Sequence, residues 1–158
     1  MALLGVSVAL SGLSGPDRRS PRALVNESPS VPRGLYLRLG ASSPGLGEIV
    51  GLRQPLMARP YLGSLGMDPD VLLLKRLAGG PGDRVCREGQ TVVTPRGRVH
   101  ALAADGQGRP LPTWRGCRRL GRDEVFLLGD TAASFDSRYF GPVPVEEMTG
   151  VYRAVLSW

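Results

Sequence analysis

Reactive side chains are scarce in this sequence. It has one lysine, Lys75, one histidine, His100, and two cysteines, Cys86 and Cys117. Any Ser-His-Asp or Cys-His machinery would have to run through His100, and its setting, RGRVHAL, predicts a surface imidazole on an exposed strand or hairpin flank. One histidine and two distant cysteines do not make a zinc-type ligand cluster, so no metal site and no cofactor are expected. Aromatic residues are only 6% of the chain, and no heptad, repeat or long helix-period pattern occurs, which removes the usual signal of a helical bundle. Long apolar runs are missing too. The longest uncharged stretch, MALLGVSVALSGLSG (1–15), would span about 22 Å as a helix, against a hydrocarbon core of about 30 Å. It has no basic n-region, and DRRSPR follows it, so it reads as a weak membrane anchor or the remnant of a signal.

What the chain does have is glycine (22) and proline (14), with short β-rich segments between them. Its 158 residues suit one domain with one core. LYLRL (35–39), EIVGL (48–52), VLLLK (71–75), EVFLLGD (124–130) and TGVYRAVLSW (149–158) predict strands, while QTVVTP and RGRVHAL predict a hairpin. QPLMARPYLGSLGMDPD and ADGQGRPLPTWRGCRRLG read as irregular connections, and TAASFDSRYFGPVP as a loop. The fold class expected is therefore mainly β: coiled antiparallel sheets forming a closed or partly open barrel, after an apolar segment (1–15) and a polar linker (16–25).

Twenty Lys and Arg against fourteen Asp and Glu give a net charge of +6. The positives are scattered, never more than two in a row, and are not interleaved with aromatics. A nucleic-acid partner is not expected, although a basic barrel that binds nucleic acid stays as the weakest reading. Cys86 and Cys117 would be two small buried thiols in a reducing compartment or a disulfide in an oxidising one.

Two stretches raise a chemical question. NESPSVPRGLY (26–36) sets Ser28 and Ser30 among prolines just ahead of a strand. The bland reading is a turn; the other is a positioned nucleophile. VLLLK ends a doubly apolar strand with the sole amine side chain of the protein. A lysine there either reaches out to water or is desolvated and loses its charge. A neutral amine is what a serine needs as general base near neutral pH.

Four blocks, NESPSVPRGLY, GEIVGL, LLLKRLAGGPGDRV and GDTAASFDSRYFGPV, occur in this order. Together they resemble the boxes of bacterial type I signal peptidases, and more closely those of the TraF-type branch that matures conjugative pilin precursors. RPYL (59–62), the S-x-P box followed by GLY, and the cysteine pair around PTWRGC belong to that likeness, which covers Asn26 to Trp158.

The resemblance implies a signal-peptidase-like catalytic domain over 26–158 and a serine endopeptidase with a Ser-Lys dyad. Ser30 matches the nucleophile and Lys75 the base. Ser28 matches the hydroxyl that, with the Ser30 N–H, makes the oxyanion hole. Asp136 and Arg138 match the acidic and basic pair of the last box, with Asp136 implicated in catalysis. Ser134 matches a serine that orients the lysine. It further implies a Cys86–Cys117 disulfide, a precursor polypeptide as partner, membrane association, and a place on the periplasmic side of the cytoplasmic membrane. General signal-peptide removal and a non-catalytic β-domain of a secretion or conjugation assembly are the competing functions. Asp130 has no clear counterpart, because GDTAA departs from the usual opening of that box.

Overall fold

The computed structural model describes residues 7–9, 20–40 and 43–158. Residues 16–19 of the linker lie outside the described residues, and so does most of the apolar start. Ser7–Ala9 is the exception. It forms strand β1, paired antiparallel with β2 (Ala23–Asn26), so at these three residues the chain is extended rather than helical.

The remaining strands follow from short apolar runs ended by glycine and proline. They are β3 (Gly34–Arg38), β4 (Ile49–Leu52), β5 (Leu73–Gly79), β6 (Arg84–Glu88), β7 (Thr91–Thr94), β8 (Gly97–His100), β9 (Gly116–Arg119), β10 (Glu124–Leu128), β11 (Val143–Pro144) and β12 (Met148–Ser157). Of the twelve strands among the described residues, eight make one antiparallel sheet, ordered β1-β2-β3-β12-β4-β5-β10-β11, and four make a smaller one, β8-β7-β6-β9. The fold is mainly β, as the sequence predicts. β1 and β11 lie at opposite edges of the large sheet, so it curls without closing.

Burial explains the curl. Strand β5 is apolar on both faces, and its side chains alternate between two cores. Leu73 and Leu77 pack with Val50, Leu52, Val125 and Leu127. Leu74 packs the other way, with Tyr36, Ile49, Val31 and Tyr152. A third cluster, with Val85, Val92, Phe126 and Leu128, joins the small sheet to the large one. At the start of β3 a Cβ on Gly34 would come within 2.0 Å of the Leu156 carbonyl oxygen, so glycine is what lets β3 and β12 pair there.

Strands β2, β6 and β11 and three further elements depart from the sequence reading. The connection after β4 contains helix α1 (Arg59–Ser64), with proline in its first turn, where the missing N–H costs little. The loop after β10 contains α2 (Ser137–Phe140), capped by Asp136. The segment read as irregular contains β9, whose four residues are all exposed and so carry no alternation to find. Among the described residues no helix is long and apolar enough to cross a membrane.

Cys86 and Cys117 are direct cross-strand partners on β6 and β9, and their sulfurs are bonded. They close a loop of 31 positions, for which the chain-entropy relation gives about 3 to 4 kcal/mol. Reduction is thus expected to lower the unfolding free energy by that amount, read as a lower denaturant midpoint, without changing the fold at neutral pH. A thiol titration of the unreduced, unfolded protein checks the bridge: two reactive thiols would contradict it.

Candidate active site

The turn between β2 and β3 is organised by one amide. Asn26 Nδ2 donates to the carbonyls of Ser28 (2.9 Å), Val31 (3.0 Å) and Pro32 (3.1 Å), and its Oδ1 accepts from the Ser28 N–H (3.1 Å). The Tyr36 hydroxyl donates to the Pro32 carbonyl from below (2.6 Å), and Val31 is sunk into the core. Ser30 is therefore presented at the top of a turn whose backbone has little freedom.

Lys75 lies on the same side of β5 as Leu73 and Leu77 and is only 3% exposed. Its Nζ donates to Ser30 Oγ at 2.8 Å and to Ser134 Oγ at 2.8 Å, and Ser134 Oγ lies 3.1 Å from Ser30 Oγ. Burial pushes the Lys75 pKa down to about 8. The Asp136 carboxylate opposes the shift, Arg138 adds to it, and Asp130 opposes it more weakly. The amine thus sits between two hydroxyls with its charge destabilised, so its neutral form is reached far closer to neutral pH than in an ordinary lysine. Once Nζ is neutral its lone pair can accept the Ser30 proton, while its remaining N–H bonds hold to Ser134.

The loop that carries Ser134 is braced by a buried ion pair. Arg138 Nε and Nη2 donate to the two oxygens of Asp136 at 2.8 and 2.9 Å, with side chains 2% and 0% exposed. Arg138 also donates to the carbonyls of His100, Gly129, Thr131 and Ala132. Asp136 accepts from the Gly129 N–H (2.8 Å) and from the Arg138 N–H (3.1 Å). Its oxygens are spent on this brace, and it has no hydrogen bond to Lys75 or Ser30. Asp136 acts on the amine through its field and through the loop, which makes it a positioning residue. A Cβ on Gly129 would fall 1.9 Å from Ser134 Oγ and 3.0 Å from the Ser30 carbonyl oxygen, so the loop closes over the serine only because glycine is there.

Ser28 stands beside Ser30, and its Oγ accepts the Ser30 N–H at 3.1 Å. Both groups assigned to the oxyanion hole are therefore adjacent, but at rest they bond each other. An arriving carbonyl oxygen would have to replace that bond. His100 is exposed on β8 and reaches the site only through its carbonyl. Cys86 and Cys117 stay in the small sheet. Among the described residues no cluster of His, Cys, Asp and Glu could hold a metal ion.

Asp130 is what the sequence reading left without a role. Its N–H donates to the Ser30 carbonyl (2.6 Å), and its carboxylate takes a fork from Arg76 Nε and Nη2 (2.7 and 2.9 Å). The signal was the Lys-Arg pair itself: on a strand, consecutive side chains face opposite ways, so Arg76 had to serve something other than Lys75.

Ser30, Lys75 and Ser134 line a cleft of about 650 Å³. Its walls come from α1, residues 71–75 leading into and opening β5, the loop 102–111, and Phe135 and Tyr139. β10 stops pairing at Leu128↔Arg76, so the first half of β5 has β4 on one side and the cleft on the other. Leu77 exchanges hydrogen bonds with Gly47 and Glu48 on the β4 side. Strand alternation then turns the backbone groups of Leu74 and Leu72 toward the cleft. β3, by contrast, is paired on both sides, by β2 and β12, and offers no free edge.

Comparison with known proteins adds to this geometry. Residues 19–158 match the family described as signal peptidase, peptidase S26. The plasmid transfer protein TraF of Escherichia coli is 33% identical over 148 residues, spanning 86% of this chain and 84% of that protein. The conjugal transfer protein TraF of Agrobacterium fabrum is 32% identical over 149 residues, spanning 85% and 82%. A solved signal peptidase I from Enterococcus faecalis aligns with a TM-score of 0.43 at 20% identity, over 71% of this chain and 98% of that one. A match running through nearly every described residue, with about one residue in three shared with TraF proteins along most of their length, makes this chain a member of the peptidase S26 family.

Proposed function

We propose that this peptidase is a serine endopeptidase that uses Ser30 as nucleophile and Lys75 as general base. We further propose that it matures an exported precursor on the periplasmic side of the cytoplasmic membrane, a conjugative pilin precursor above all. The buried 2.8 Å contact between Lys75 Nζ and Ser30 Oγ carries the reading. The names of its relatives, plasmid and conjugal transfer proteins, supply the biological setting. On this reading residues 26–158 are the catalytic domain, and the apolar start serves membrane association.

Neutral Lys75 takes the Ser30 proton as Oγ attacks the scissile carbonyl, and the oxyanion is held by the Ser30 N–H and the Ser28 hydroxyl. Collapse breaks the C–N bond, Lys75 returns the proton to the leaving amine, and an acyl ester remains on Ser30. A water, or the amino end of the precursor, then attacks the ester with Lys75 again as base. Water gives a cut chain; the amine gives a ring. The precursor lies extended along the free edge of β5, where Leu72 and Leu74 supply main-chain hydrogen bonds.

Incubation with candidate pilin precursors, followed by mass analysis, tests the reading. A product lighter by one water than the cut linear chain reports ring closure. No processing of any exported precursor by folded protein would sink it. The pH profile is a second test. Because the folded Lys75 pKa is lowered to about 8, below its ordinary 10.5, the active neutral form grows as pH rises. kcat/KM should climb about tenfold per unit below pH 8 and level off above it. A flat profile between pH 6 and 9 would remove Lys75 as the base.

A further inference from the structure

The end of the cleft away from Ser30 holds a constellation that the dyad does not use. A short loop is pinned by the bridge Ala104↔Pro110 and by hydrogen bonds from Leu111 N–H to Ala103 and from Asp105 N–H to Arg109. Inside it the Asp105 carboxylate accepts four donors: Gln107 N–H and Arg109 N–H at 2.9 Å, Arg109 Nε at 2.7 Å and the Tyr61 hydroxyl at 3.0 Å. The Tyr61 ring packs on Phe135, the residue after Ser134, at 4.4 Å between centroids, and the Arg109 guanidinium lies 5.9 Å from the Tyr61 ring. One ring contact and one cation-π contact thus link the serine that holds Lys75 to an arginine on the opposite wall.

Only Nε of Arg109 is used. Among the described residues nothing accepts from its two Nη groups, and the side chain is 35% exposed in the cleft wall. Asp105 and Tyr61 fix the fork on one edge and leave the other edge facing the lumen. Asp105 is the sole acid lining the cleft, and Arg33 adds a further positive group near the nucleophile. Partial burial pulls the Asp105 pKa up, but the N–H groups of Arg109 and Gln107, the guanidinium and the Tyr61 hydroxyl outweigh it and hold it at about 2. It stays an acceptor for Arg109 at every working pH.

Resting on the peptidase reading above, we propose that Arg109 is a carboxylate-recognising subsite, selecting precursors with an acidic group a few residues from the cut bond. A planar fork with both terminal nitrogens open suits bidentate pairing with a carboxylate, and a lysine there would not reproduce it. The carboxylate has two sources in a polypeptide: a glutamate or aspartate side chain, or the chain's own C-terminus.

Binding to the Ser30→Ala protein tests this without need of turnover. The probes are alanine-rich peptides carrying one glutamate, or one glutamine in its place, walked along the sequence, each made as free acid and as C-terminal amide. The expected result is about tenfold tighter binding of glutamate over glutamine at one position, or of acid over amide, which tells the two sources apart. The preference should fall to about one in Arg109→Gln and survive in weakened form in Arg109→Lys. Equal binding of every matched pair, or a preference undiminished in Arg109→Gln, overturns the proposal. Thermal melts of both variants exclude unfolding, and the comparison on protein with Arg109 intact stands even if a variant fails to fold. Cleavage by protein with Ser30 intact is scored separately, so absence of turnover with the preference intact would count against the peptidase reading alone.

Discussion

Ser30→Ala is expected to lower kcat/KM on a processed precursor by about 10⁴-fold or more, and Lys75→Met by a similar factor. The two groups act as a unit, since an alcohol without its base, or a base without its alcohol, leaves the same uncatalysed step. The double variant should therefore be little worse than either single one. Stability separates the variants from trivial unfolding. Ser30→Ala removes one small hydroxyl at a turn held by Asn26, and its melting temperature should barely move. Lys75→Met replaces a desolvated amine among Leu73, Leu77 and their neighbours with an apolar chain of similar volume, so its melting temperature should hold or rise. Retained cleavage in either variant, measured by mass analysis over long incubation, would dispose of the dyad.

Asp136→Ala carries the second large effect, and it falls on stability first. The Asp136–Arg138 pair is almost wholly out of water, at 0% and 2% exposure. Removing one partner of such a pair costs about 3 to 5 kcal/mol, because the other is left buried and uncompensated. At about 2 to 4 °C per kcal/mol for a chain of this size, the melting temperature should fall by about 6 to 20 °C. Activity should fall as well, since the Gly129 N–H loses its acceptor and the loop holding Ser134 loosens. Magnitude distinguishes this pair from its neighbour. Arg76–Asp130 has equally short contacts, but its side chains are 25% and 37% exposed, and exposed pairs contribute about 0 to 1 kcal/mol. Asp130→Ala measured beside Asp136→Ala should therefore show a much smaller drop in melting temperature; equal drops would refute the burial argument.

The parts of this protein legible in its sequence are those whose chemistry is tied to residue type. A sole lysine after an apolar run leaves two choices, reaching out to water or desolvation, and the structure buries it against two hydroxyls. Serines set between prolines read as a rigid turn, although the fastening itself falls to Asn26, whose side chain gives no advance sign of its three carbonyl partners. The mainly β fold was legible from turn residues and short runs, whereas β9 was not, because a fully exposed strand shows no period. Helix α1 is six residues long and contains Gly63, too short for an apolar stripe to show. Nothing local announces that Tyr61, Asp105 and Arg109 meet, since long-range folding alone brings Tyr61 to the other two. The placing of Asp136 was half legible: its pairing with Arg138 is a neighbour effect, but whether its oxygens face the amine or the backbone depends on where the loop turns.

The strand order has a temporal consequence. β3, which follows Ser30, and β4, which flanks the lysine strand, are not hydrogen-bonded to each other; β12, spanning Met148–Ser157, is slotted between them. A chain still being synthesised has Ser30 beside one half-sheet and Lys75 on the other until this later segment joins them. The 2.8 Å contact between Lys75 Nζ and Ser30 Oγ is therefore expected to form only once β12 is in place.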